Sequence, residues 1–246
     1  MLTNDRIEII SKWILNYASK ESDNQFNLVI GISGGIDSAV TSTLCAKTNL
    51  KTIVVSMPIR QNDDQHSLSL EHIEWLKLNY SNIESYVINL DDVFKSFQEK
   101  MKLFTSDLAF ANSRSRLRML TLYQIAQSNN GLVVGTGNKV EDIGIGFFTK
   151  YGDGGVDISP IADCTKSEVW DMGKALGISN NIITAKPTDG LWDDSRNDEE
   201  QIGLNYKQLE EAMENPKSKY FDKYNEIRKP NIHKMLPIPV CKINKN

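Results

Sequence analysis

The sequence predicts an α/β fold, a doubly wound parallel sheet flanked by helices. Three observations predict it. Short apolar runs at residues 28–32, 52–57, 85–90 and 132–134 alternate with longer stretches of helical periodicity. The runs stop at turn-forming or polar residues, as at Ser33-Gly34-Gly35, Pro58 and Gly135-Thr136-Gly137. The first run passes through its glycine turn straight into a helix-forming stretch, the pattern of a strand–turn–helix unit. Strands that alternate with helices pair in parallel through right-handed crossovers, and ligands bind at the carboxyl ends of such strands.

The elements follow in order. Residues 4–20 carry Ile7, Ile10, Trp13, Ile14 and Tyr17 at helical spacing, which predicts a lid helix packed by its apolar side, with Trp13 in the packing. After a polar connection, residues 28–32 form the first strand, and Ala39, Val40, Leu44 and Cys45 mark the helix behind it. Residues 52–57 form the second strand. The polar stretch 59–66 reads as a mobile loop. A helix over 65–79 carries Leu68, Ile73, Trp75, Leu76 and Leu78, with His66 and His72 as surface polar residues. Residues 85–90 form the third strand, and Asp91-Asp92 cap a helix running to about residue 103. Leu117, Leu120, Leu122, Ile125 and Ala126 mark a long helix over 112–128, followed by the fourth strand at 132–134. No repeat, low-complexity tract or linker divides the chain, so one domain over 1–246 is expected.

Composition narrows the function. The chain has 246 residues, 24% of them charged, and a net charge of −4. A slightly acidic chain without a basic block is poorly suited to gripping nucleic acid through its phosphates. No apolar run approaches membrane-span length and none looks like a signal segment, so a cytoplasmic protein is expected. Cys45, Cys164 and Cys241 are widely spaced, with no C-x-x-C to suggest a zinc site or a dithiol.

The chemistry concentrates after the first strand. In Ser33-Gly34-Gly35-Ile36-Asp37-Ser38, a glycine turn meets a helix N-terminus, where backbone N–H groups converge on an anion. It lacks the lysine of a G-x-x-x-x-G-K-[ST] loop and has an aspartate where a metal ion needs a ligand. This run resembles the pyrophosphate loop of ATP pyrophosphatases, which transfer AMP from ATP to a substrate oxygen. Further motifs follow: Gly135-Thr136-Gly137-Asn138-Lys139-Val140-Glu141, the run G-F-F-T-K-Y-G-D-G-G-x-D from Gly146 to Asp157, Lys166-Ser167-Glu168, Lys186-Pro187-Thr188, Asp198-Glu199-Glu200 and His233-Lys234-Met235. In this order they resemble NAD synthetase of the ammonia-dependent type, over residues from about 28 to 240.

That resemblance implies a Rossmann-like sheet of the adenine nucleotide alpha hydrolase type. It implies a homodimer that converts deamido-NAD, ATP and ammonia into NAD, AMP and pyrophosphate. It also assigns roles. Gly31, Ile32, Ser33, Gly34, Gly35, Ile36, Asp37 and Ser38 would bind the ATP phosphates, with Thr136, Lys166 and Thr188 also on ATP. Asp37 and Glu141 would hold Mg²⁺, an ion that takes hard oxygen ligands, and with Lys166 they would be the catalytic group. Arg116, Lys150, Asp157, His233 and Lys234 would bind deamido-NAD. Arg114, Arg116 and Arg118 are spaced two apart and cannot all share one helix face. The stretch between Glu141 and Lys150 is one residue longer than the family pattern, which leaves Asp142 as an alternative metal ligand. Residues 192–201 are polar and acidic, either a lid over ATP or a solvated loop.

Other classes share the loop. A tRNA-thiolating enzyme would need a basic surface and reactive cysteines, and a nucleotide sensor would need neither the carboxylates nor the dinucleotide residues. A synthetase fed by a separate glutaminase stays open. What precedes residue 28 is a short helix, and no cysteine sits in a nucleophile motif, so free ammonia is the expected nitrogen source.

Overall fold

The computed structural model describes residues 1–19, 25–61, 63–188, 190–191 and 197–243. In chain order the elements are α1 (Thr3–Ser19), β1 (Asn27–Gly31), α2 (Ile36–Ala46), β2 (Thr52–Ser56), α3 (Asp63–Asn79), β3 (Ile83–Val87), α4 (Asp91–Lys100), α5 (Asp107–Ser128) and β4 (Gly131–Val133). A π-helix (Lys139–Ile145) follows, then α6 (Lys166–Ala175), α7 (Asn180–Thr184), α8 (Asp198–Ile202), α9 (Tyr206–Glu214), α10 (Phe221–Arg228), a 3₁₀ turn (Lys229–Asn231) and α11 (Ile232–Met235).

The sheet is parallel with order β3-β2-β1-β4. The order reverses between β1 and β4, so the carboxyl ends of these two strands open a crevice, the place where such sheets bind ligands. Strand alternation sends side chains to both faces. Leu28, Ile30 and Val54 pack under α1, α2, α3 and α6, while Val29, Ile53 and Val55 pack under α4 and α5. This is the doubly wound arrangement the sequence predicts. A third cluster joins Val140 and Ile145 of the π-helix to Ile202, Tyr206, Leu209 and Tyr224.

The structure corrects several expectations. On α1 the buried stripe is Ile7, Ile10, Ile14 and Ala18, while Trp13 and Tyr17 are exposed and pack on each other at 5.6 Å. The stretch 59–66 is not all loop, because Ile59 is buried and α3 already starts at Asp63. The third strand lies at Ile83–Val87, earlier than predicted, because this edge strand is half-buried at best and the more apolar residues Ile88 and Leu90 follow it. Asp91 and Asp92 are the first residues of α4 and not its caps; Asp91 instead accepts a hydrogen bond from the Arg60 N–H at 2.6 Å. The helix α5 starts at Asp107, capped by Ser106, and Leu78 and Leu120 are exposed.

His72 is a correction with an energetic consequence. It is buried between α3 and α2, with Nε2 2.9 Å from the Ser42 hydroxyl, and Trp75 stacks on its ring. Burial pushes its pKa down to about 4. A histidine depressed in the folded state contributes stability above its unfolded pKa of about 6.5 and loses it as pH falls through about 4. Between those values the unfolded chain binds the proton and the folded chain does not. The native protein should therefore lose up to roughly 3 kcal/mol more unfolding free energy between pH 7 and pH 4 than His72→Gln. Urea titrations across that range measure it, and parallel curves for the two proteins would refute it.

Candidate active site

The crevice between β1 and β4 leads into a cavity of about 500 Å³. One wall is residues 31–38. Gly35 caps α2 without a side chain, so the first-turn N–H groups of the helix point outward. Ser33 and Ser38 fix the loop from within: their hydroxyls are 3.1 Å apart, and Ser38 Oγ donates to the Gly35 carbonyl at 2.9 Å. Gly34 has φ +91°, and a Cβ there would stand 2.5 Å from the Gln65 carbonyl of α3. Only glycine meets both conditions, and the result is a backbone concavity of donors at a helix N-terminus.

Facing this loop is an ion cluster assembled from three distant segments. Lys166, the first residue of α6, is 2% exposed. Its Nζ donates to Asp37 Oδ2 at 2.5 Å and to Glu141 Oε1 at 3.0 Å. A cation at a helix start opposes the helix dipole, so the two carboxylates and not the helix hold it there. Asn138 orders the cluster. Its Oδ1 accepts from the N–H groups of Val140 and Glu141 to cap the π-helix, and its Nδ2 donates to Asp37 Oδ1 at 3.3 Å. The Tyr206 hydroxyl donates to Glu141 Oε1 at 2.6 Å, and its ring lies under Lys166 Nζ at 4.8 Å.

Burial sets the charges. It pushes the Asp37 carboxyl up to about 6 against the pull of Lys166. Burial also raises Glu141, but the Lys166 ammonium and the Tyr206 and Asn138 hydrogen bonds outweigh it and leave Glu141 below the usual carboxylate range. Burial lowers Lys166, and its two carboxylates reverse this, so it stays firmly an ammonium. Asp142 lines the same cavity with its carboxyl against Gly137. Burial, then the neighbouring Glu141, Asp153 and Asp37 carboxylates, push it up to about 8. Glu141 and Asp142 both lie in the π-helix, a form that is frequent at functional sites.

Most residues assigned from the sequence converge. Residues 31–38, Thr136, Glu141, Lys166, Thr188 and Lys234 all line the cavity. Arg116, Lys150 and His233 do not line it but gather beside it: Arg116 Nε donates to the Lys150 carbonyl at 3.1 Å, and Lys150 Nζ to the His233 carbonyl at 3.5 Å. Lys234 Nζ donates to the Phe148 carbonyl at 2.8 Å. Asp157 stands apart. Its Oδ2 accepts from the Val133 N–H at 2.7 Å and its Oδ1 from the Tyr123 hydroxyl at 3.0 Å, which ends β4. Of the three arginines on α5, Arg114 is buried and donates to the Leu191 carbonyl, and Arg118 lines the cavity. Of the expected lid, residues 192–196 lie outside the described residues, and the rest holds the short helix α8.

The glycine-rich run from Gly146 is explained by a turn clamped to α5. Asp153 accepts from the Ser115 hydroxyl at 2.6 Å and from the Thr149 N–H at 3.1 Å, and a Cβ on Gly152 would meet Ser115 Oγ at 2.2 Å. Sequence reasoning did not single out Asn138, Asp153, Asp198 or Tyr206 as site residues. Asn138 had a signal, since it directly follows the glycine pair that ends the fourth strand. Tyr206 had none, because its partner is 65 residues away.

Residues 6–244 match the family model described as NAD synthase. The NH₃-dependent NAD⁺ synthetase of Carboxydothermus hydrogenoformans is 39% identical over 214 residues, 85% of this chain and 84% of that one. The structure of NMN synthetase from Francisella tularensis superposes with a TM-score of 0.90 at 32% identity, covering 99% of this chain and 100% of that one. The NH₃-dependent NAD synthetase from Campylobacter jejuni superposes with a TM-score of 0.78 at 25% identity, covering 98% and 100%.

Proposed function

The chain belongs to the NAD synthase family, and from that premise we propose that it amidates deamido-NAD with ammonia at the expense of ATP, giving NAD, AMP and pyrophosphate. The carrying observation is that Lys166 joins Glu141 to Asp37 of the 31–38 loop in one cavity. A carboxylate is a poor acyl donor because its leaving group would be oxide. The nicotinate carboxylate oxygen therefore attacks the α-phosphorus of ATP, the bond to the bridging oxygen breaks, and pyrophosphate leaves. Ammonia then attacks the acyl carbon, AMP departs with its oxygen, and the nitrogen loses a proton.

The N–H groups of the 31–38 loop and Lys166 suit the first step, in which negative charge grows on the departing pyrophosphate. Thr136 and Thr188 contact the nucleotide from the other walls. The donor set fits Mg²⁺: two hard carboxylates, Asp37 and Glu141, already stand on either side of a cation, and Mg²⁺ is commonly held by one or two carboxylates plus substrate phosphates. Bound there, Mg²⁺ would neutralise phosphate charge. Asp142, in the same cavity, is the alternative ligand. Arg116, Lys150, His233 and Lys234 offer the cationic rim that a dinucleotide's phosphates require. Asp157, assigned to the same ligand, is engaged at the end of β4 by the Val133 N–H and the Tyr123 hydroxyl.

The chain acts as one domain and as a homodimer. Phe97, Leu103 and Phe104, exposed close together in sequence at the end of α4 and just after it, are apolar surface that a partner subunit would cover. No described helix is long and apolar enough to cross a membrane, and the net charge of −4 favours small-molecule substrates in the cytoplasm over nucleic acid.

The close superposition with an NMN synthetase favours a second reading, in which the substrate is nicotinate mononucleotide. That molecule has the same reacting carboxylate but no adenylate half, so it would need only the cavity and not the Arg116–Lys150–His233 rim. Measured kcat/KM for the two substrates decides. The first reading expects deamido-NAD to be preferred by about tenfold or more. Preference for the mononucleotide would establish the second.

A further inference from the structure

We infer that Tyr206 is a positioning residue, which aligns Glu141 on Lys166 and, through Asp198, makes that alignment depend on how the nucleotide-facing segment at Pro187 is seated. The inference rests on the site reading above. Tyr206 begins α9, where Asn205 and Gln208 form a capping box that fixes the start of the helix. Its side chain is almost fully buried, and Trp170 meets the ring edge-on at 5.8 Å.

A phenol has a single proton to donate. Here two carboxylates are within reach of it, Glu141 Oε1 at 2.6 Å and Asp198 Oδ2 at 3.2 Å. The backbone N–H of Asp198 donates to the Pro187 carbonyl at 3.0 Å, and Pro187 lines the cavity. The one hydroxyl, shared between the two carboxylates, therefore joins Glu141 to Asp198 and, through the Asp198 backbone, to the cavity-lining Pro187. The ring face also supports Lys166 from below at 4.8 Å. Hydrogen-bonded partners of this kind hold a reacting group in one rotamer, and their loss commonly costs about 10- to 100-fold in activity.

The test is Tyr206→Phe, which keeps the ring under Lys166 and removes only the hydroxyl. Its kcat should fall by about tenfold or more while KM for deamido-NAD stays within about twofold. Asp198→Ala removes the hydroxyl's second acceptor and should lower kcat in the same direction. The double variant should lose no more than the worse single one, because both break one connection. A Tyr206→Phe enzyme with normal kcat would overturn the inference, as would losses that multiply in the double variant. A Tyr206→Phe protein that fails to fold would assign the hydroxyl to stability and overturn it as well. Glu141→Gln, assayed alongside, separates the two levels. If it is inactive while Tyr206→Phe is normal, only the positioning role fails; if it is fully active, the site reading fails.

Discussion

Lys166→Met should lower kcat by about 10³-fold and also destabilise the protein at neutral pH. The two effects have one origin. Lys166 is the cation between Asp37 and Glu141, at 2.5 and 3.0 Å, in a place with almost no access to water. Methionine fills a similar volume but leaves two buried carboxylates without their cation. Breaking a buried pair by removing one partner costs about 3–5 kcal/mol. The carboxyl groups can escape part of that cost by binding protons, and Asp37 already sits near 6 with the lysine present. Without it, burial and mutual repulsion raise Asp37 further and no longer leave Glu141 low. A carboxyl whose folded pKa lies above its unfolded one is harmless below the unfolded value, and it destabilises as pH rises through the folded value. The stability deficit of the variant should thus be small near pH 4–5 and grow toward pH 8. Turnover should not recover at low pH, because the cation aimed at the phosphates is gone. Melting curves and kcat over that pH range test this, and a variant with kcat within tenfold of the native enzyme would refute it.

Asp37→Asn should lower kcat by about 10²-fold or more with little loss of stability. The amide preserves the shape and can still meet Asn138 and Lys166, but it is a weak ligand for a hard divalent ion. Stability is spared because the carboxyl is already pushed up to about 6 by burial, so at pH 7–8 its ionised form is held against a desolvation cost. The amide removes that cost and gives up an attraction to Lys166, two changes of opposite sign. Half-saturation by Mg²⁺ should rise in the same variant. Normal turnover with an unchanged Mg²⁺ requirement would move the metal assignment from Asp37 toward Glu141 and Asp142.

The loop from Gly31 to Ser38 was legible because its chemistry needs neighbours in sequence: a strand, two glycines and a helix start. Strands β1 and β2 were legible for a related reason, since a strand covered on both faces must be apolar throughout. The edge strand β3 was not, because one side of it meets no other strand and its own residues are half-exposed. Trp13 and His72 show the limit of periodicity. The apolar pattern of α1 does not say which side meets α6. The polarity of His72 hides a buried partner, Ser42, on another helix. The site divides along the same line. Asp37, Glu141 and Lys166 came from recognisable runs, but the Asn138 and Tyr206 side chains that order them act across 101 and 65 residues of sequence. Such contacts exist only once β1, the π-helix and α9 have packed together.

The nitrogen source tests the central claim most directly. Burial pushes the Cys45 thiol up to about 12 and the Cys164 thiol up to about 11, so both stay protonated and neither is an activated nucleophile. Glutamine hydrolysis would need one. The measurement supplies the purified chain with ATP, deamido-NAD and Mg²⁺, and either an ammonium salt or ammonia-free glutamine. Ammonium should give NAD, AMP and pyrophosphate in equal amounts, and glutamine should give no NAD above the blank. Comparable NAD from glutamine, or ADP in place of AMP, would contradict it.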